Sequence, residues 1–167
     1  MRQTRPAGYS TLQIVLHWSV ATLVACQFFI NDEIDEAWRG LVAGRPVAAD
    51  EMASANVHVV IGLIVLVLAL LRIAIRLMRG APPPAPNEPR LLQIAGTAAH
   101  VGLYVLLVLT PLSGAAAWFL QAEPAASAHG AFRVLLFFLV VAHIAGALAH
   151  LVIFRSDVFW RILAPRD

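Results

Sequence analysis

Six histidines carry most of the chemical potential of this chain: His17, His58, His100, His129, His143 and His150. All six fall within or at the ends of long apolar runs. Three belong to one stretch, residues 129 to 154, that is apolar enough to cross a bilayer. His129 and His143 are separated by about 21 Å of helix rise, and their side chains return to within about 40° of the same face. His150 follows two turns later, on nearly that face. An imidazole inside a membrane-crossing helix is costly and marks a functional position. Two on one stripe, one near each side of the membrane, point to two stacked cofactors.

The elements that must position these rings follow from composition. Hydrophobic residues make up 60% of the 167, charged residues 13%, and the mean hydropathy is +0.77. A soluble domain has roughly 45–50% apolar and about 25% charged residues, so the expected class is all-α, an integral membrane four-helix bundle. A span needs about 20 apolar residues. Four are expected, at about 12–30, 57–77, 91–112 (the apolar run continues to Leu120) and 130–154, which makes residues 1–167 a single transmembrane domain. The net charge is +2, but the basic residues, all arginine, flank the spans instead of forming a patch, which excludes nucleic acid as a partner. The single Cys26 excludes an internal disulfide and a thiolate metal cluster. With no Cys-x-x-Cys-His, any haem must be held by axial ligands and packing. The first apolar run has no small-residue cleavage site behind it and reads as a permanent helix.

Arginine placement sets the expected orientation. The N-terminus, the 72–90 connection and the C-terminal tail carry 2, 4 and 3 arginines, and the positive-inside rule puts all three in the cytoplasm. Both termini are therefore expected to be cytoplasmic. The segment from Asn31 to Asn56 has six acidic residues against Arg39 and Arg45, net −4, and faces the other side. Ala81 to Pro86 reads as a stiff polyproline-like linker. Pro111 is expected to kink the third span, and Val158, Phe159, Trp160, Ile162 and Leu163 give the tail an amphipathic, interfacial character.

Depth then pairs the histidines. His58 and His129 lie towards the outer face; His17 and His143 lie nearer the inner one. Bis-histidine ligation across helices holds a b-type haem with both axial positions filled, which suits electron transfer. Ala21, Gly62, Ala142, Gly146 and Ala147 sit beside these ligands, and a porphyrin between helices needs low side chains there. A zinc or copper site would use imidazole too, but its ligands must converge, and depth keeps the two pairs apart. His100 and His150 fall on the cytoplasmic side as candidate contacts for a haem propionate or a quinone, able to donate protons, or as plain interfacial residues. Arg72 and Arg76 either bind propionates or snorkel to headgroups. Arg133, one turn beyond His129, is a candidate for an outer propionate or an anionic substrate.

Taken together these segments resemble the bacterial cytochrome b561 family of four-helix, two-haem inner-membrane proteins. The resemblance rests on Tyr9-Ser10-x-x-Gln13-x-x-Leu16-His17-Trp18, His58-x-x-x-Gly62 with Arg72-x-x-x-Arg76, His100-x-x-x-Tyr104, Pro111-Leu112-Ser113-Gly114, His129, His143 with Ala149-His150, and Arg155-x-Asp157 with Arg161 up to Pro165. It implies that His17, His58, His129 and His143 ligate two haem b groups. It also implies a multi-pass protein of the bacterial inner membrane, an oxidoreductase that takes electrons from superoxide at the periplasmic face and delivers them to ubiquinone. Membrane lipid, a quinone and superoxide or a periplasmic redox protein are then the partners. The acidic outer loop would repel an anion, while Arg133, Arg39 and Arg45 would offset that locally. Two other readings stand beside this one. The first is a membrane-anchor cytochrome b subunit or electron shuttle for a periplasmic redox protein. The second is a haem-free transporter, for which four spans are few and paired inverted repeats are missing.

Overall fold

A computed structural model describes residues 8–29, 34–85 and 88–165. Five α-helices follow one another: α1 (Thr11–Phe29), α2 (Ile34–Val42), α3 (Ala49–Arg79), α4 (Arg90–Leu120) and α5 (Glu123–Val152), with a 3-10 turn at Trp160–Ile162. No strand occurs among the described residues. The four long helices, all but α2, are long and apolar enough to cross a membrane.

Helix boundaries have local causes. Ser10 and Gln13 form a capping box at the start of α1: the Ser10 N–H donates to Gln13 Oε1 at 3.0 Å, and the Gln13 N–H reaches Ser10 Oγ at 3.4 Å. The Gln13 amide then donates to the carbonyl of Gly80 at 3.1 Å, which ties the start of α1 to the end of α3. Gly80 closes α3 with φ 79°, its N–H bonded to the Arg76 carbonyl, a conformation glycine adopts without steric cost. Between α4 and α5 only Gln121 and Ala122 intervene, and Gln121 makes the turn at φ 50°.

The helices overrun the apolar runs. α3 begins at Ala49, so His58 sits in its third turn, and α5 begins at Glu123, so His129 sits two turns in. At 31 residues, α3 and α4 are about 46 Å long against a hydrocarbon core of about 30 Å. Hydropathy registers only the part within the core. α4 runs through Pro111 to Leu120.

Two features depart from the sequence reading. The acidic segment contains α2, whose first turn carries Asp35 and Glu36 and whose last carries Arg39, the arrangement that complements a helix dipole. Trp38 Nε1–H donates to the Ala117 carbonyl at 3.2 Å, docking α2 on the end of α4. The tail, expected to be amphipathic, is a run of turns that exposes Trp160 and Leu163 and buries an arginine. Arg161 is buried and donates to the Pro83 carbonyl at 2.6 Å and to Asp157 Oδ1 at 2.7 Å. Trp18 Nε1–H donates to the Ile162 carbonyl at 3.0 Å. A buried guanidinium needs such partners, and here they lace tail, 80–89 linker and α1 together.

The closed core is a layer across the middle of the bundle. Val20 and Val24 of α1, Val65 and Ala69 of α3, Leu107 of α4 and Leu136 of α5 form it, with Leu23, Phe28, Ile61, Leu103, Leu106 and Val140 packed around. Leu136 and Val140 lie between His129 and His143 along α5, so the layer separates two histidine levels. Outside it, Val60, Ile64, Val67 and Leu71 of α3 are exposed, as expected of a face whose solvent is lipid. We call the two ends of the bundle the α2 end and the linker end.

Candidate functional site

Each end of the bundle holds a pair of facing imidazoles. At the linker end, His17 of α1 and His143 of α5 have ring centroids 6.3 Å apart at 61°. At the α2 end, His58 of α3 and His129 of α5 stand 6.2 Å apart at 77°. All four are half-buried. α5 thus contributes one ring to each pair.

The α2-end pair is supported through the backbone. His129 Nδ1 lies 2.8 Å from the Thr110 carbonyl of α4. A carbonyl only accepts, so Nδ1 carries the proton and Nε2 keeps its lone pair. Gly114 makes room for the ring, since a Cβ there would lie 2.9 Å from His129 Nδ1 and Cε1. Ser113 Oγ–H donates to the same carbonyl at 2.8 Å. Gln27 Nε2–H donates to the His58 carbonyl at 2.9 Å, while Gln27 Oε1 is enclosed without a hydrogen-bond partner.

At the linker end a third imidazole joins the pair. His100 of α4 has its ring 5.1 Å from that of His143, and its Nδ1–H donates to the Gly96 carbonyl at 2.7 Å. His17 Nδ1 is enclosed without a hydrogen-bond partner. The guanidinium carbons of Arg72 and Arg76 lie 5.6 and 5.8 Å from the centroid of Tyr104, within cation–π range. Tyr104 stands one turn after His100 on α4, which places both guanidinium groups beside the linker-end imidazoles. Both arginines therefore face the bundle instead of only snorkelling outward.

His150 stands apart from the pairs. Its Nε2 is 3.2 Å from Glu88 Oε1, and its Nδ1 is 3.0 Å from Ser156 Oγ. Arg133 sits one turn after His129 on α5 and is half-buried. Sequence reasoning quoted Gly114 within a motif but gave no site role to it, to Thr110, to Glu88 or to Ser156. A glycine one turn past Pro111 was a signal for the first two; nothing in the sequence links Glu88 to His150 across the linker.

A family profile described as prokaryotic cytochrome b561 matches residues 8–165. The chain belongs to the prokaryotic cytochrome b561 family. A relative named cytochrome b562, from Cereibacter sphaeroides, is 30% identical over 165 residues, spanning 98% of this chain and 99% of that protein. Membership in the cytochrome b561 family makes this a multi-pass membrane cytochrome whose work is electron transfer and whose prosthetic group is haem b.

The residues present fit that group. Two metal–imidazole bonds of about 2 Å each, together with the two ring radii, fill separations such as the 6.2 and 6.3 Å found here. Among the described residues no three or more His, Cys, Asp or Glu converge as a metal site. The His58–His129 pair offers two donors, and at the linker end His100 stands beside His143 without completing a metal site, so a group that brings its own macrocycle suits each pair better than a bare ion.

Proposed function

We propose that this cytochrome b561 protein holds two haem b groups, one between His58 and His129 and one between His17 and His143, and carries electrons from one end of the bundle to the other. The observation that carries this reading is the pair of facing imidazole couples at opposite ends, with an apolar layer between them. Each haem supplies a one-electron carrier. The four histidines fix its place and orientation, and Val20, Val24, Val65, Leu107 and Leu136 keep water out of the space between the two levels.

In this reading the linker end, with both termini, is cytoplasmic and the α2 end periplasmic, in the bacterial inner membrane, because the arginines cluster at the linker end. The donor is superoxide and the acceptor ubiquinone. Two superoxide anions each give up one electron and leave as dioxygen; one ubiquinone takes both electrons and two protons from the cytoplasm and leaves as ubiquinol. His100 and His150 are the imidazoles on the quinone side. The Glu88 carboxylate accepts from His150 Nε2–H, and Ser156 supplies its hydroxyl to Nδ1, so His150 is held as a proton-carrying group with both ring nitrogens engaged. Arg133 remains the candidate contact for a propionate or anion at the α2 end.

A second reading, an electron shuttle or membrane anchor for a cationic periplasmic redox protein, is favoured by one observation. Arg39 and Arg45 both turn to Glu36, at 3.3 and 3.9 Å, so they balance a carboxylate instead of forming a positive funnel on the acidic segment. Stopped-flow mixing of the purified, haem-loaded protein with superoxide and a short-chain ubiquinone separates the two. Superoxide:ubiquinone chemistry predicts rapid haem reduction and ubiquinol formation by the isolated chain. Absence of haem reduction by superoxide would leave the docking reading.

A further inference from the structure

The fold supports its two imidazole pairs in unlike ways. At the α2 end, His129 donates its Nδ1–H to the Thr110 carbonyl at 2.8 Å. Such a bond makes the ring a stronger electron donor through its other nitrogen, and a stronger axial donor favours the oxidised iron and lowers its potential. At the linker end, the enclosed Nδ1 of His17 has no hydrogen-bond partner and receives no comparable help.

Charge is distributed in the same sense. Arg72 and Arg76 both lie over Tyr104, one turn after His100 on α4, whose ring is 5.1 Å from that of His143. Positive charge beside a redox centre favours the state carrying the extra electron, more so away from bulk water. At the α2 end Arg133 lies one turn from His129, while Arg39 and Arg45 turn to Glu36. A pair of arginines over Tyr104 and a ligand whose Nδ1 is unbonded at one end thus stand against a hydrogen-bonded ligand at the other.

We propose that these residues set the direction of electron flow: the Thr110 carbonyl, acting through His129, makes the α2-end site the weaker acceptor, and Arg72 with Arg76 makes the linker-end site the stronger one. An electron arriving at the His58–His129 level then passes downhill to the His17–His143 level. One centre is oxidised and the other reduced by one electron, with no bond formed or broken and no proton required. This rests on the two-haem reading and adds to it a built-in order of potentials.

Potentiometric titration of the purified haem-loaded chain tests it, the two signals being assigned with His58→Ala, which keeps only the linker-end pair, and His17→Ala, which keeps only the α2-end pair. The linker-end signal is expected at the higher midpoint. Arg72→Gln should lower that midpoint alone, cutting the preference for the linker-end site about tenfold, equivalent to about 59 mV for one electron, and Arg72→Lys should restore most of it. Ser113→Ala, which leaves the Thr110 carbonyl wholly to His129, should lower the α2-end midpoint alone. If Arg72→Gln fails to assemble, Arg76→Gln carries the same expectation. A higher midpoint at the α2 end, or arginine variants that move neither midpoint or both equally, would overturn the proposal. Failure of the two-haem reading is distinguishable, because it appears beforehand as one haem per chain.

Discussion

Gly114 of α4 and His129 of α5 are interlocked: a Cβ on residue 114 would lie 2.9 Å from both Nδ1 and Cε1 of the imidazole. The missing Cβ leaves the ring room to lie where its Nδ1 reaches the Thr110 carbonyl at 2.8 Å. Gly114→Ala should push the ring away, break that hydrogen bond and cost about 1–3 kcal/mol in overpacking. Haem content measured after purification is expected to fall from two towards one per chain, with helical circular dichroism retained. Unchanged content with unchanged potentials would show that the ring has room to spare.

The knot at the linker end should matter for stability more than for electron transfer. Arg161 donates to the Pro83 carbonyl and to Asp157, and hydrogen bonds involving a charged group contribute about 1.5–3 kcal/mol each. Arg161→Leu is expected to lower the melting temperature in detergent and to open the 80–89 linker to protease. The haem spectrum of the protein that survives should match the wild type.

His150 carries a different expectation. If it passes protons to the quinone, His150→Ala should leave the reduction of the haems by superoxide unchanged and slow ubiquinol formation by on the order of a hundredfold, the usual scale for a lost general acid. Glu88→Gln, which keeps a hydrogen-bond acceptor but removes the charge beside Nε2, should slow the same phase by less. Stopped-flow traces recorded with and without quinone resolve the two phases.

Docking of α2 is tested at Trp38, whose indole N–H reaches the Ala117 carbonyl and whose neighbour Ala37 is fully buried. Trp38→Ala should release α2 from the end of α4. Amide hydrogen exchange is expected to rise across residues 34–42 while α3 and α5 keep their protection.

Much of this architecture is legible in the sequence because the bilayer imposes it. Unpaired backbone groups are intolerable in lipid, so apolar runs around His17, Ile64, Leu107 and Phe138 can only be helices. The matching of His17 with His143 and of His58 with His129 follows from depth along each span, once arginine placement has set the topology. What was hidden depends on packing across helices. Thr110 offers a backbone carbonyl, which no residue type advertises. Glu88 meets His150 across elements that no sequence spacing links. Arg161 reads as a surface charge of the tail and proves to be buried, since the carbonyl that holds it, Pro83, lies 78 residues away in sequence. The helix α2 was obscured by acidic residues that read as loop, though their placement at its first turn suits a helix start.

Haem stoichiometry in single-ligand variants tests most directly whether the two imidazole pairs hold two separate haems. Haem per chain, by pyridine haemochromogen against protein concentration, should be two in the wild type. His58→Ala and His129→Ala should each lose the same one, His17→Ala and His143→Ala the other, and the double variant His17→Ala/His58→Ala both. One haem per wild-type chain, or His17→Ala and His58→Ala removing the same spectral component, would contradict the account.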